Sequence, residues 1–305
     1  MARDWAIDDA GEALGPRQEM SALALADAMP RLMVAARRSA ATILHGLHGR
    51  RRAGPGEDFW QYRRFTSGEP ANRVDWRRSA RDDTLYVREP EWEVAHTVWI
   101  WIDRSPSMWF RSDLARASKV ERAIVLGLAM ADLLVAGGER VGLLGLRRPR
   151  ANRHVVADFA EALRTRLGES DALPVEPIAA RAEALLIGDF LAPAEETEAA
   201  IARLAARGAR GHLILIADPV EEVFPFNGRT EFRDPETGER FLVGRAQEYR
   251  DAYAERLALH RERLRAATRK AGWSLALHRT DRPAEEALLA LHARIGAGDA
   301  LAGAA

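Results

Sequence analysis

The sequence predicts an α/β protein built on a doubly wound, mainly parallel sheet. Three observations lead there. Short apolar runs recur through the second half of the chain, they are apolar on both faces rather than alternating, and helical patterns lie between them. Strands buried on both faces belong in a parallel sheet covered by helices.

The apolar runs are His96–Asp103, Arg140–Leu146, Ala184–Asp189, His212–Asp218 and Trp273–His278. Ser118–Lys119–Val120–Glu121 is a capping box, in which the serine and glutamate side chains satisfy each other's exposed backbone N–H groups. It opens a helix with Val120, Ile124, Val125, Leu128, Leu133 and Leu134 inward, and Gly137–Gly138 closes it. Further helices are predicted over Ala194–Arg207, Gln247–Ala271 and Pro283–Ile295. Between Phe232 and Phe241 the turn residues Asp234–Pro235–Glu236–Thr237–Gly238 predict a hairpin, Thr230–Val243, inserted before the long helix.

The first half is less regular. A helix is predicted over Ser21–His48, with Pro30 kinking it or marking its true start. Gly49–Gly56 reads as a loop, and Thr84–Arg88 as a strand within a polar, arginine-rich stretch from Asp58 to Glu93. The expected organisation is a tail at 1–20, an arginine- and aromatic-rich region with its helix at 21–95, a sheet domain at 96–295 and an alanine-rich flexible tail at 296–305.

Composition narrows the chemistry. The chain has 305 residues, 47% hydrophobic and 30% charged, with Lys+Arg and Asp+Glu both at 45. That balance excludes a uniformly basic nucleic-acid coat. Cysteine is absent, so disulfides, thiolate metal sites, Fe–S clusters and cysteine nucleophiles are excluded. Of the basic residues only Lys119 and Lys270 are lysine, a bias that a GC-rich genome explains. The most apolar run, Thr97–Ile102, is far shorter than the roughly 20 residues a spanning helix needs. With no apolar signal core at the amino terminus, the expected location is the cytoplasm.

Ligands of open α/β sheets bind beyond the carboxyl ends of the strands, near the point where strand order reverses. The first apolar strand runs into Asp103–Arg104–Ser105–Pro106–Ser107–Met108, and two others end at Asp189 and Asp218. One carboxylate with two hydroxyls is a set of hard oxygens suited to Mg²⁺, which keeps several waters. The same residues also serve commonly as helix caps that bind nothing. The chain has no P-loop, no G-x-S-x-G elbow, no dinucleotide fingerprint and no H-E-x-x-H, and Ser105 stands where a phosphotransferring aspartate site needs a second Asp. His45 and His48 share helical spacing but have no carboxylate near them in sequence.

Between Arg31 and Arg81 there are 12 arginines against four acids, interleaved with Trp60, Tyr62, Phe65 and Trp76. Such a mixture suits stacking on single-stranded nucleic acid. It equally suits internal pairs with Glu69, Asp75, Asp82 and Asp83 and packing against aromatic rings.

Several motifs occur together and in order. Tyr62–Glu69, Arg73–Val74–Asp75–Trp76, Ser79–Ala80–Arg81, Tyr86–Glu89, Asp103–Met108 and Asp234–Glu239 resemble the signature of the family called domain of unknown function fifty-eight. The resemblance runs from about Gly46 to Ile295. It implies a von Willebrand factor A-like, Rossmann-type sheet with a metal-ion-dependent adhesion site. Carried over by position, Asp103, Ser105, Ser107 and Asp189 would hold Mg²⁺, with Mn²⁺ or Ca²⁺ as alternatives. The threonine of that site has no counterpart in Ala151–Glu161, and Thr165 lies too far along. The resemblance further implies a partner of MoxR-type AAA+ ATPases, acting in assembly or maturation of protein complexes. Many members carry membrane helices before the signature, and the lack of one here leads to the expectation of a soluble variant. The expected function is therefore a non-catalytic interaction module. The rivals are a metal-assisted hydrolase drawing also on Asp218 and a single-stranded nucleic-acid binder.

Overall fold

The computed structural model describes residues 14–48, 60–66, 69–81, 84–90, 96–165, 173 and 178–302. The expected loop at 49–56 lies outside them, as do 1–13 and 303–305 of the expected tails. The chain divides into two compact units, His45–Ala95 and the remainder, Met1–Leu44 with His96–Ala305.

In chain order, α1 (Leu14–His48) precedes an antiparallel pair, β1 (Trp60–Arg64) and β2 (Tyr86–Pro90), with the single-turn α2 (Trp76–Ser79) between them. Asp75 caps α2 by accepting from Arg78 N at 3.0 Å. Buried Ser79 Oγ accepts from Tyr86 N at 2.9 Å, which ties the turn to β2. Arg63 pairs with Glu69 at 2.7 Å, and the Arg78 guanidinium lies 4.5 Å from the centre of the Tyr86 ring. Internal pairing thus operates at these positions of the arginine–aromatic stretch. The expected strand at 84–88 is found two residues later, as β2, and β1 pairs with it.

The larger unit is an α/β fold. Its sheet strands are β3 (Thr97–Ile102), β4 (Arg140–Leu143), β5 (Arg147–Arg150), β6 (Glu183–Gly188), β7 (Arg210–Ala217) and β10 (Ser274–Arg279). The hairpin strands β8 (Thr230–Arg233) and β9 (Arg240–Val243) form a separate small sheet. The helices are α3 (Lys119–Ala136), α4 (Val155–Thr165), α5 (Ala194–Ala205), α6 (Pro219–Val223), α7 (Arg250–Lys270) and α8 (Ala284–Ala302). Sheet order is β10–β7–β6–β3–β4–β5. Every neighbouring pair is parallel except β4–β5, so the sheet is mixed. Strand β5, Arg-Arg-Pro-Arg, carries no apolar pattern and escaped the sequence reading. Its edge position tolerates Pro149, which cannot donate to a ladder on both sides.

The two faces of β3 separate the layers. Val98, Ile100 and Ile102 face α3, whereas Trp101 joins Ile201 and Leu204 of α5, Leu264 of α7, and Leu213, Leu215 and Trp273. Helix α3 lies very close to the sheet at Gly127, where an added Cβ would stand 2.5 Å from Ile102 Cδ1. That contact fixes where the first residue of α3 falls.

Helix α1 begins earlier than the sequence suggested and runs through Pro30. Its stripe of Leu25, Met29, Leu32, Ala36, Ala40 and Ile43 is buried. Each fully buried Leu, Ile or Met contributes about 1.5–3 kcal/mol, enough to hold a helix that one proline interrupts. Ser39 Oγ donates to Glu285 Oε1 of α8 at 2.7 Å, and Arg31 pairs with Glu121 of α3.

Candidate functional site

Strands β7, β6 and β3 are adjacent and parallel, so Asp218, Asp189 and Asp103, each following the last strand residue, emerge at the same end of the sheet. All three are buried. The chain runs from β3 to β4 and β5 on one side, then returns to β6, β7 and β10 on the other. The reversal at β3 leaves the crevice that such sheets use for ligands.

The loop after β3 is ordered by its own side chains. Asp103 Oδ1 accepts from Ser105 N at 2.9 Å, and the Ser105 and Ser107 hydroxyls lie 3.2 Å apart. Gly188, ending β6, gives Asp103 its room, since a Cβ there would stand 2.8 Å from both Cβ and Oδ2 of Asp103. Ser107 N donates to Glu236 Oε1 at 2.9 Å. Glu236 sits in the turn of the β8–β9 hairpin, so a carboxylate of the same chain is docked on this loop.

Asp189 meets a lysine. Lys119 Nζ donates to Asp189 Oδ2 at 2.7 Å and to Glu221 Oε1 at 2.6 Å, and the lysine is only 1% exposed. Burial drives the ammonium pKa down, but the charges and hydrogen bonds of Asp189 and Glu221 hold it above the ordinary lysine value. It is therefore a fixed cation at every working pH. Asp189 Oδ1 accepts from Leu191 N at 3.2 Å, and the intervening Phe190 adopts φ 51°. His260 Nε2 donates to the Phe190 carbonyl at 2.7 Å and pins that turn to α7.

Lys119 and Glu221 were missed from sequence, although a signal existed. Lysine at the first position of a helix opposes the helix dipole, and this one sits there in a chain that otherwise uses arginine. A compact ammonium fits a buried space between two carboxylates better than a planar guanidinium does.

Asp218 is a cap. Its carboxylate accepts from Ser112 N at 2.9 Å, from Ser112 Oγ and from Val220 N at 3.0 Å, while Glu221 Oε2 accepts from Asp218 N at 2.8 Å. Glu221 thus links the cap to the lysine.

The donor set fits a divalent cation in part. Asp103, Ser105 and Ser107 offer neighbouring hard oxygens. Asp189 has its Oδ2 on an ammonium, and a second cation on that carboxylate would face like charge at short range. Among the described residues no three His, Cys, Asp or Glu side chains group as metal ligands. Thr165 stands at the end of α4, donating to Ala162 O at 3.1 Å.

A cavity of about 610 Å³ opens beside Ser107 and Lys119. Phe224, Phe226, Phe232 and Tyr253 wall it, with Arg233 and Arg256 also contributing. Burial pushes the Tyr253 phenol up to about 12, so it stays neutral.

Sheet and site together define an α/β protein whose strands end in buried acids, one of which shares a single buried lysine with Glu221. Comparison with known proteins takes the assignment to a family. The chain belongs to the family described as protein of unknown function DUF58, whose pattern matches residues 61–263. Proteins of Mycobacterium bovis and Mycobacterium tuberculosis, both described as uncharacterized, are 26% identical to it over 279 residues, 85% of this chain and 86% of theirs. Among solved structures, the conserved hypothetical protein BatB from Bacteroides thetaiotaomicron aligns at a TM-score of 0.40 with 13% identity, over 66% of this chain and 99% of that one. An aerotolerance-related membrane protein from Bacteroides fragilis aligns at 0.36 with 18% identity, over 64% and 96%. No helix among the described residues is long and apolar enough to cross a membrane.

Proposed function

We propose that the chain is a non-catalytic docking module that receives a carboxylate of a partner protein at the carboxyl end of its sheet. One contact carries the proposal: the Asp103–Met108 loop already holds a carboxylate, that of Glu236, on Ser107 N. Lys119 cannot supply the attraction for an incoming acid, because Asp189 and Glu221 outweigh it. A divalent cation on Asp103, Ser105 and Ser107 would supply it, for an ion with one protein carboxylate keeps net positive charge. Mg²⁺ is the assignment, Mn²⁺ or Ca²⁺ the alternatives. The von Willebrand factor A-like reading of the fold is supported by the strand order reversing at β3 and by the D-x-S-x-S loop at that strand's end. The partner assigned is a MoxR-type AAA+ ATPase, on the strength of family membership.

The test is retention of that ATPase by the full chain in Mg²⁺ and in EDTA, for wild type and Asp103→Ala. Retention is expected to fall by about tenfold with EDTA or with the substitution, the loss of one charge-assisted contact. Equal retention and equal thermal stability in all four cases would sink the proposal.

A further inference from the structure

The cavity beside the strand-end loop, about 610 Å³, lies within the roughly 300–1,000 Å³ of ordinary ligand sites. Its walls, its charges and its own hairpin each say something about what it accepts.

The walls form an aromatic cage. Phe224 stacks on Phe232 with centroids 5.8 Å apart and meets Phe226 edge-on at 5.1 Å, and Tyr253 lies 4.8 Å from Phe224. Phe224 adopts φ 40°, a left-handed conformation that a bulky residue keeps only when its surroundings enforce it. Here it closes α6, its N–H donating to Val220 O at 3.0 Å, and the turn sets its ring among the other three. The rim stays apolar where water reaches it, with Phe241 and Tyr249 both exposed.

The charges favour an acid. Arg233 and Arg256 line the cavity, and no ion pair of either guanidinium occurs among the described residues. Arg256 is exposed and Arg233 half-buried, and arginine beside aromatic rings is a common composition of a docking hot spot.

The hairpin supplies the template. Pro235 lines the cavity and Glu236 docks at its edge on Ser107 N. The turn is organised to present them, with Asp234 Oδ1 accepting from Glu236 N at 2.8 Å and from Thr237 N at 3.4 Å, and Gly238 at φ 76°. An external acidic segment would therefore compete with a Pro–Glu pair already in place.

We infer that the cavity is an anchor pocket for an acidic segment of a partner protein in which a bulky apolar side chain adjoins a carboxylate. The apolar side chain enters the cage of Phe224, Phe226 and Phe232. The neighbouring carboxylate replaces Glu236 at Ser107 N and draws on Arg233 and Arg256. Glu236 is the internal competitor, and the hydrogen bond its exposed carboxylate accepts is readily exchanged. The inference rests on the docking function proposed above and adds the sequence class of the partner.

The experiment is fluorescence anisotropy of a labelled, capped peptide, Gly-Ser-Pro-Glu-Phe-Gly-Ser, with the full chain in Mg²⁺. One control peptide has Gln for Glu and another has Ala for Phe. Both controls are expected to bind about tenfold more weakly. Glu236→Gln should tighten the parent peptide about fivefold, and Arg256→Glu should weaken it by a similar factor. Both positions are exposed, so unchanged melting curves separate these effects from unfolding. A parent peptide that binds no tighter than the Ala control overturns the anchor pocket. If the Gln control alone loses binding, carboxylate docking stands and the pocket falls. If neither control differs from the parent, both fall.

Discussion

The two ends of strands β6 and β7 each bury an acid, and they answer it differently. At the amino end Glu183, the first residue of β6, accepts from His212 Nε2 of β7 at 3.2 Å, while Ser274 Oγ of β10 lies 2.7 Å from His212 Nδ1. Adjacent strands supply all three residues, so pairing the sheet is enough to bring them together, with Glu183 Oε2 left without a hydrogen bond among the described residues, 3.9 Å from His96 Nδ1. At the carboxyl end Asp189 is answered by Lys119 from α3 and, through it, by Glu221 from α6. Here satisfaction waits on two helices docking, and the result faces a cavity. A polar network completed within strands is architecture. One completed by helices and a hairpin joins parts of the chain that a ligand can bias.

Substitutions at the two ends should separate these roles. The largest effect is expected for Lys119→Met, which leaves two buried carboxylates facing each other and should cost about 3–5 kcal/mol in urea unfolding. Lys119→Arg should not restore it, whereas combining Lys119→Met with Asp189→Asn and Glu221→Gln should recover part of the loss. An unchanged midpoint for Lys119→Met would show that the trio holds nothing together.

His278, at the same end on β10, comes next. Burial first, and then the charge of Arg122, pull its pKa down to about 4. The unfolded chain therefore takes up this proton first as pH falls. Stability should decline from about pH 6.5 towards pH 4, by as much as about 3 kcal/mol, and be retained above that window. His278→Gln should flatten that slope in melts run across the range.

At the amino end His212→Ala should cost about 1–3 kcal/mol by stripping the partner from Glu183. It should leave ATPase retention untouched, and a binding defect there would break the distinction between the two ends. The smallest stability effect belongs to Asp234→Ala. This carboxyl titrates below the usual range because it accepts backbone hydrogen bonds from Glu236 and then Thr237. Being exposed, it should matter to stability by less than about 0.5 kcal/mol. Loosening the turn should nonetheless raise acidic-peptide binding.

The difference between the ends also explains what the sequence could reveal. Strands β3, β6 and β7 were legible because a strand covered on both faces has few ways to be anything but apolar, and β10 because its apolar run persists at the sheet edge, where Leu277 is exposed. The aspartates at their ends were legible because the apolar runs stop there. The hairpin could be read from its turn residues. Strand β5 could not, because its pairing uses backbone groups while its side chains are three arginines and a proline. Lys119 was hidden within a capping box, where its neighbours Ser118 and Glu121 account for the motif and the lysine passes as a solvated charge. Only the tertiary arrangement shows that its side chain points inward, to residues 70 and 102 positions further along.

That spacing bears on how the sheet assembles. After Glu183 strand β6 is apolar to its end, and Leu185, Leu186 and Ile187 differ little in size, so that stretch by itself discriminates poorly between neighbouring alignments. A slip of one residue would turn Asp189 to the opposite face. Lys119 would not follow, because α3 is seated on Ile102 through Gly127. A mispaired sheet would then enclose an ammonium without its counter-ions, at a cost of several kcal/mol. The buried trio works as a proofreading key: it fits only when β3, β6 and β7 are aligned in their native frame.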